Sequence, residues 1–444
     1  MLVGKSPEEG LRRIQALLAN WLRMENVVVL TAAGCSVGAG GRLMSGPAKN
    51  NLECLVLDAV EHCPLPPNAK AVLDWKKKNY FGHGNFEDWL SYLFNVSGLT
   101  SSPHSPLKSI HWKPSKGSTD VFLTTEDECL LRGYIEKAIF AECALEIDRT
   151  EVAGTSDNPS SGHIPFIAKL IARDTNLGRT HLFTLNYDTL FEQAMEELGV
   201  QYFDGFSGRA NSRFDPSVYG LDIYYPGDVA EGRVRRFDKF LQFYKLHGSI
   251  HWNSKPDGSF HARHQDLSFA KAYRDAAPKE KAVLLQTLKF GAIEPFGILP
   301  TSQKFTQTLD MPYAHLFRLF HARLNQPQTF LIVAGYGFGD DHVTRIIETA
   351  LMNPSLVMLV IEPAPASAIH KRIRRYQGLG QRAFVLSERL NAGTKCTYKV
   401  ATFSDFAQNV MPDIKWLEDY KRLRAFEGQI KKADEDPNDK AQGS

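Results

Sequence analysis

Hydrophobic positions along the chain fall into two rhythms. Near the N-terminus Leu11, Ile14, Leu17, Leu18, Trp21 and Leu22 recur at helical spacing. Ser6 can cap this stretch, Pro7 suits the first helical position and Glu9 completes a capping box, so a helix is expected. The run Val27-Val28-Val29-Leu30 that follows is too short for a helix and rich in β-branched residues, which predicts a buried parallel strand. The same signature returns at His181–Leu185, Phe243–Leu246, Thr329–Ala334 and Leu356–Ile361, and in a less apolar form at Tyr398–Phe403. Helical patterns lie between. One spans Thr189–Leu198 and stops at Gly199; another spans His342–Met352, with Asp340 and Asp341 as candidate caps. Strands alternating with helices predict an α/β fold, a Rossmann-like parallel sheet of about six strands.

The rhythm breaks over residues 47–175, where helical patterns such as Asn85–Asn95 and Glu126–Ile147 are separated by Pro- and Ser-rich turns. This region is expected to be a helical insertion layer, leaving residues 1–46 and 176–412 as the sheet domain. Within the insertion, Gly154–Gly162 has the composition of a flexible connector; beyond it, residues 200–240 read as an aromatic, basic loop. Trp416, Tyr420, Leu423 and Ile430 can share one face of a C-terminal helix over residues 413–432. The polar residues 433–444 are expected to be a disordered tail.

Composition narrows the function classes. Hydrophobic residues are 43% and charged residues 23% of 444, an ordinary globular balance. The formal charge of +2 exerts no long-range pull on nucleic acid or anionic lipid, and the basic runs Arg233–Lys239 and Lys371–Arg375 are short enough to be solvated faces, so direct nucleic-acid binding is not expected. No stretch approaches the ~20 apolar residues of a membrane span. The early charges Lys5, Glu8, Glu9, Arg12 and Arg13 leave no signal-peptide core, and a cytoplasmic location is expected. None of Cys35, Cys54, Cys63, Cys129, Cys143 and Cys396 forms a C-x-x-C pair, so no zinc ribbon and no metal are expected.

Four motifs fall at the carboxyl ends of predicted strands, the ligand edge of open α/β sheets. The first, Ala32-Ala33-Gly34-Cys35-Ser36 with Gly38, Gly40 and Gly41, offers small residues that let backbone N–H groups approach a phosphate at a helix N-terminus; a tight turn with nothing bound fits it too. In the second, Thr184-Leu185-Asn186-Tyr187-Asp188-Thr189-Leu190, Asp188 reads either as a plain N-cap or as a ligand group. Asn186 can orient a sugar hydroxyl or a water. In the third, Lys245-Leu246-His247-Gly248-Ser249, a neutral His247 can accept a hydroxyl proton or be a satisfied structural residue. The fourth is a second glycine-rich turn, Gly335-Tyr336-Gly337-Phe338-Gly339-Asp340-Asp341. Glu362, at the end of the next strand, is a partner for ribose hydroxyls or an exposed loop acid.

Taken in order, AAGCS, TLNYDTL, KLHGS and GYGFGD resemble the sirtuin superfamily, most closely its prokaryotic branch in antiphage defence systems, over about Val27 to Phe403. The resemblance implies that NAD is bound as substrate. Ala32, Ala33, Gly34, Cys35 and Ser36 stand where the family's Gly-Ala-Gly-x-Ser motif holds the phosphates, with the first glycine replaced by alanine. Thr184, Asn186 and Asp188 match its Thr-x-Asn-x-Asp pattern, which puts Asn186 at the nicotinamide ribose and Asp188 near the carboxamide. His247 matches the catalytic histidine, and Gly335, Gly337 and Glu362 fall at the adenosine half. Two departures stand out. Where deacetylating members carry Gly-Ile-Pro-Asp-Phe-Arg-Gly, this chain has Gly40-Gly41-Arg42-Leu43-Met44-Ser45-Gly46, and the zinc ribbon is missing.

The resemblance therefore implies an NAD glycohydrolase releasing nicotinamide and ADP-ribose, with Asn186 and His247 catalytic. It also implies a regulated NAD-depleting effector that is a homo-oligomer and works with a separate regulatory protein such as a HerA-type ring ATPase. The competing readings are a non-catalytic sensor of NAD or an ADP-ribosyl ligand, and an NAD-dependent protein deacylase or ADP-ribosyltransferase.

Overall fold

The structure is a computed structural model that describes residues 7–44, 51–80, 86–113, 120–147, 161–174, 176–226, 236–255, 257–288, 297–298, 308–362, 382–387 and 402–413. Its strands are β1 (Asn26–Thr31), β2 (Ile110–Trp112), β3 (Val121–Leu123), β4 (His181–Thr184), β5 (Gln201–Phe203), β6 (Phe206–Ser207), β7 (Arg213–Phe214), β8 (Phe240–Lys245), β9 (Trp252–Ser254), β10 (Phe260–Ala262), β11 (Thr329–Ala334), β12 (Leu356–Ile361) and β13 (Ala383–Leu386).

Seven of these form one sheet in the order β13-β12-β11-β1-β4-β8-β5, with every neighbouring pair parallel. The fold is Rossmann-like, with seven strands where the apolar runs predict about six. The additions are the short edge strands β5 and β13, three and four residues long and only partly buried, which leave little pattern in the sequence. The expected strand at Tyr398–Phe403 can be followed only at its last two residues, which are not in a strand. Residues 398–401 lie outside the described residues, and Phe403 opens a helical turn, Phe403–Asp405, capped by the Thr402 side chain.

Alternation along the buried strands feeds two cores. Val27 and Val29 of β1, Phe330 and Ile332 of β11, and Leu359 and Ile361 of β12 face one side, where helices Pro7–Leu22, His163–Ile171 and Leu190–Glu197 pack. Val28 and Leu30, Leu331 and Val333, and Met358 and Val360 face the other, under helices Tyr313–Leu324 and Asp341–Ala350. Strands covered on both faces lose the polar alternation of a half-exposed sheet, which is why they read as continuous apolar runs. Trp21 fixes the first helix by packing against Phe330 and Phe384, ring centroids 5.4 and 4.8 Å away.

Helices Leu52–Val60, Pro67–Tyr80, Phe86–Thr100 and Thr125–Cys143 build a third core around Val56, Leu57, Leu90, Leu131 and Ile135. The Asn51 side chain caps the first of these helices, and Thr124 with Asp127 forms a capping box on the last. Strands β2 and β3 add a hairpin that the helical periodicity does not announce. Helices Ala270–Asp275 and Pro278–Thr287 join the same layer through Tyr273 and Leu285. A smaller antiparallel sheet, β6-β7-β10-β9, occupies part of the stretch read as loop, and the Asp257-Gly258 turn closes its β9–β10 hairpin.

All but the first residue of the helix expected at 413–432, the tail 433–444, most of the connector 154–162, Ser45, Gly46, Arg233–Arg235 and the run Lys371–Arg375 lie outside the described residues. Among the described residues, no helix is long and apolar enough to cross a membrane.

Candidate active site

β1 pairs with β4 on one side and β11 on the other, so the chain leaves β1 in one direction and later returns to its opposite flank. Such a switch in direction opens a crevice at the carboxyl ends of the strands. The two glycine-rich turns follow β1 and β11 and interlock across it. Ala32 N donates to Ala334 O at 3.1 Å and Gly34 N to Gly335 O at 3.0 Å. A Cβ on Gly34 would stand 2.6 Å from Gly335 Cα; one on Gly335, whose φ is 65°, would stand 2.5 Å from Cys35 N. These two glycines are therefore demanded by each other's backbone. Gly337 has nothing within 4 Å of its would-be Cβ and faces open space. Where a strand–turn–helix was expected after β1, the chain makes only two single 3-10 turns, Ala33–Cys35 and Val37–Ala39. A phosphate here would meet turn N–H groups with little helix dipole behind them.

The second motif ties into the first by a buried hydrogen-bond chain. Asn186 Nδ2 donates to Ala32 O at 3.1 Å and to Ser36 Oγ at 2.8 Å, and Ser36 Oγ donates to Asp188 Oδ2 at 2.7 Å. Both amide hydrogens are thus spent, and the side-chain oxygen is the polar atom of Asn186 left to bond a ligand. Asp188 is not the N-cap, a position Thr189 takes without a side-chain cap bond; its Oδ1 accepts from Leu190 N at 3.2 Å in a turn just ahead of the helix, and its other oxygen belongs to the network. Burial pushes its carboxyl above the usual range, while the Lys245 charge and the Ser36 hydrogen bond pull the other way.

The third motif supports the second from below. Buried Lys245 donates to Asp188 O and pairs with Glu192 Oε1 at 2.7 Å. Burial raises the Glu192 carboxyl to about 7 against the pull of Lys245. His247 is 4% exposed, and its Nε2 lies 3.3 Å from His342 Nε2, so one ring must donate and the other accept. His342, on the turn that opens helix Asp341–Ala350, has no motif of its own to single it out. Asp340 takes the N-cap position of that helix without a side-chain cap bond.

These groups surround one cavity of about 550 Å³, within the range of small-molecule and cofactor sites. Ala32, Ala33, Gly34, Ser36, Asn186, Asp188, His247, Gly335, Gly337 and Glu362 all line it. The Cys35 side chain does not. It is buried, its Sγ donates to Ala334 O at 3.3 Å, and desolvation pushes its thiol far up, so it cannot serve as a thiolate. The helical layer supplies a wall that the motifs do not reveal, through Leu52, Phe86, Glu87, Glu142 and Cys143, and Gly41–Met44 forms part of the rim. Tyr187 also lines the cavity, its hydroxyl donating to Ile298 O. Among the described residues, no cluster of three or more His, Cys, Asp or Glu could hold a metal ion.

Residues 180–379 match the SIR2-like domain family, a span that includes Asn186, Asp188, His247, Gly335, Gly337 and Glu362. This part of the chain is therefore sirtuin-like. Among solved structures, similarity extends to a Sir2 homologue mutant with ADP ribose (12% identity, 82% of this chain and 93% of that chain, TM-score 0.35). A second Sir2 homologue mutant, with 2'-O-acetyl ADP ribose, has 12% identity, 89% and 95% coverage and a TM-score of 0.38. A third, again with ADP ribose, has 12% identity, 82% and 93% coverage and a TM-score of 0.33. No curated protein matches the chain.

Proposed function

We propose that this chain binds NAD across the switch-point crevice and hydrolyses the bond between nicotinamide and ribose. The observation that carries the reading is that one cavity is lined by both glycine-rich turns and by Asn186, Asp188 and His247. The dimensions and donors fit a dinucleotide. Gly337 and Glu362 offer an open approach and a carboxylate for the adenosine half, and the Asn186–Ser36–Asp188 network lies at the other motif.

In this reading the cationic nicotinamide is the leaving group, and the fixed dipoles of the site stabilise positive charge developing on the ribose. The Asn186 side-chain oxygen orients a ribose hydroxyl or the attacking water. His247 accepts the proton. The Ser36 and Ala32 contacts hold Asn186 in one rotamer before substrate arrives. A protein deacylase is disfavoured by the missing cysteine pairs and by Gly40–Met44 in place of the family's acid-and-aromatic loop. A pure sensor would have no use for His247 in the cavity wall. From the resemblance of the motifs we further infer a regulated, NAD-depleting antiphage effector. It would be a cytoplasmic homo-oligomer controlled by a separate protein such as a HerA-type ring ATPase.

The test is acceptor dependence. The full chain, alone and with a cognate ring ATPase, is incubated with NAD in the presence and absence of an acylated peptide. Equal amounts of nicotinamide and ADP-ribose, unchanged by the peptide, are expected. Release that requires the peptide would make the chain a transferase, and NAD bound but left intact in every mixture would make it a sensor.

A further inference from the structure

The helical layer places one carboxylate in the cavity that the sirtuin-like motifs leave unexplained. Glu142, at the end of helix Thr125–Cys143, is 6% exposed and lines the cavity. Its Oε1 accepts from Lys281 Nζ at 2.8 Å, in a pair whose side chains are both buried. Lys281 in turn lies 4.6 Å over the Tyr273 ring. The carboxylate is thus held from behind, on a cation that is itself packed in place.

The chain beyond Glu142 is pinned beside the Asn186–Asp188 turn. Gln193 Nε2 donates to Leu145 O at 2.8 Å and to Thr189 Oγ1 at 2.9 Å, and Ile147 N donates to Gln193 Oε1 at 2.9 Å. Cys143, next to Glu142, is close enough to Asp188 and Lys245 for their charges to act on its thiol, which burial already raises. Glu142 thus lines the same cavity as Asn186 and Asp188, on a stretch of chain fixed against their turn. Among the described lining residues, Glu142 is one of five carboxylates, with Glu87, Asp188, Asp340 and Glu362, beside Arg42 as the one arginine or lysine, and Lys281 stands directly behind it. A site built to grip only a pyrophosphate would not gather carboxylates in this way. One that must recognise a cation at one end of an anionic ligand would.

We propose that Glu142 is a specificity residue that recognises the positive charge of the nicotinamide ring and so selects the oxidised dinucleotide over its reduced form and over the ADP-ribose left after cleavage. The inference rests on reading the cavity as an NAD site. NADH differs from NAD chiefly by the loss of this ring charge, and ADP-ribose lacks the ring altogether. One charge contact in partly screened surroundings is enough for at least about a tenfold preference. Once nicotinamide has left, the same carboxylate faces a more anionic product and favours its departure.

Carbocyclic NAD keeps the ring charge but resists cleavage, so binding can be read whether or not the chain turns NAD over. Titration calorimetry on the full chain compares carbocyclic NAD, its reduced form and ADP-ribose for wild type, Glu142→Gln and the double variant Glu142→Gln/Lys281→Met. The double variant removes both buried charges in case the single one does not fold. The wild type is expected to prefer the oxidised form by at least about tenfold, and the variants by no more than about threefold, with ADP-ribose bound as tightly or more tightly. A wild type that binds both forms alike, or a preference that survives in the variants, overturns the role of Glu142 and leaves the NAD reading standing. A wild type that binds none of the three overturns the NAD reading, and this inference with it.

Discussion

At the scale of single residues, the site depends on contacts too close for any side chain. Gly34 and Gly335 meet backbone to backbone, and Gly335 also has positive φ. Gly34→Ala and Gly335→Ala should each cost about 2 kcal/mol or more, because neither backbone can yield without dragging a buried strand end. Gly337→Ala should melt within a degree or two of wild type yet weaken NAD binding, since its Cβ would enter open cavity rather than protein. Chemical denaturation beside an NAD titration checks both. Equal destabilisation by all three variants would mean that the glycines share one structural role. The motif reading took Gly34 as room for a phosphate, whereas its first duty is room for Gly335. Cys35 illustrates the opposite limit, for a motif position need not point its side chain at the ligand.

At the scale of elements, legibility followed burial. β1, β11 and β12 are covered on both faces, so their apolar runs stood out in the sequence. The edges β5 and β13, the β2–β3 hairpin and the small sheet β6-β7-β10-β9 are too short to set a period. The four motifs were legible because the turns that leave these strand ends must carry special residues. Glu142, Cys143 and Phe86 were not, because they reach the cavity from helix ends brought there only by tertiary packing.

The helical layer also carries a pH signature. Burial raises the Glu136 carboxyl from 4.5 to about 7, with Arg132 opposing and Glu128 reinforcing the shift. Below pH about 4.5 the group is neutral in the folded and unfolded chain and costs nothing. Above pH about 7 it is charged in both, and the fold bears the whole cost. This contribution to stability is therefore lost as pH rises across that window. Glu136→Gln should gain on wild type over the same range, by up to roughly 3 kcal/mol at pH 8. Denaturation midpoints that run parallel from pH 4.5 to 8 would show that Glu136 stays charged without penalty. The fully buried Lys76–Glu53 pair, 2.7 Å apart, sits in the same layer. Breaking it from one side by Glu53→Ala would take the carboxylate from a buried ammonium, at a cost of ~3–5 kcal/mol.

At the scale of the whole molecule, the cavity lies between the sheet edge and the helical layer, and its wall draws on all three cores through Ile361, Leu185 and Phe86, so a bound dinucleotide would bridge them. Ligand at about 100 times its Kd should add ~2.7 kcal/mol to stability, seen as a rise in melting temperature that grows with NAD concentration. Nicotinamide alone, which would span only one end of the crevice, should produce little of that rise. The most direct test of the central claim is turnover by Asn186→Ala and His247→Ala beside wild type, with NAD binding measured on the same preparations. We predict that wild type releases nicotinamide and ADP-ribose, and that each variant loses nearly all of this release while still folding and binding NAD. Variants that keep wild-type turnover would contradict the account.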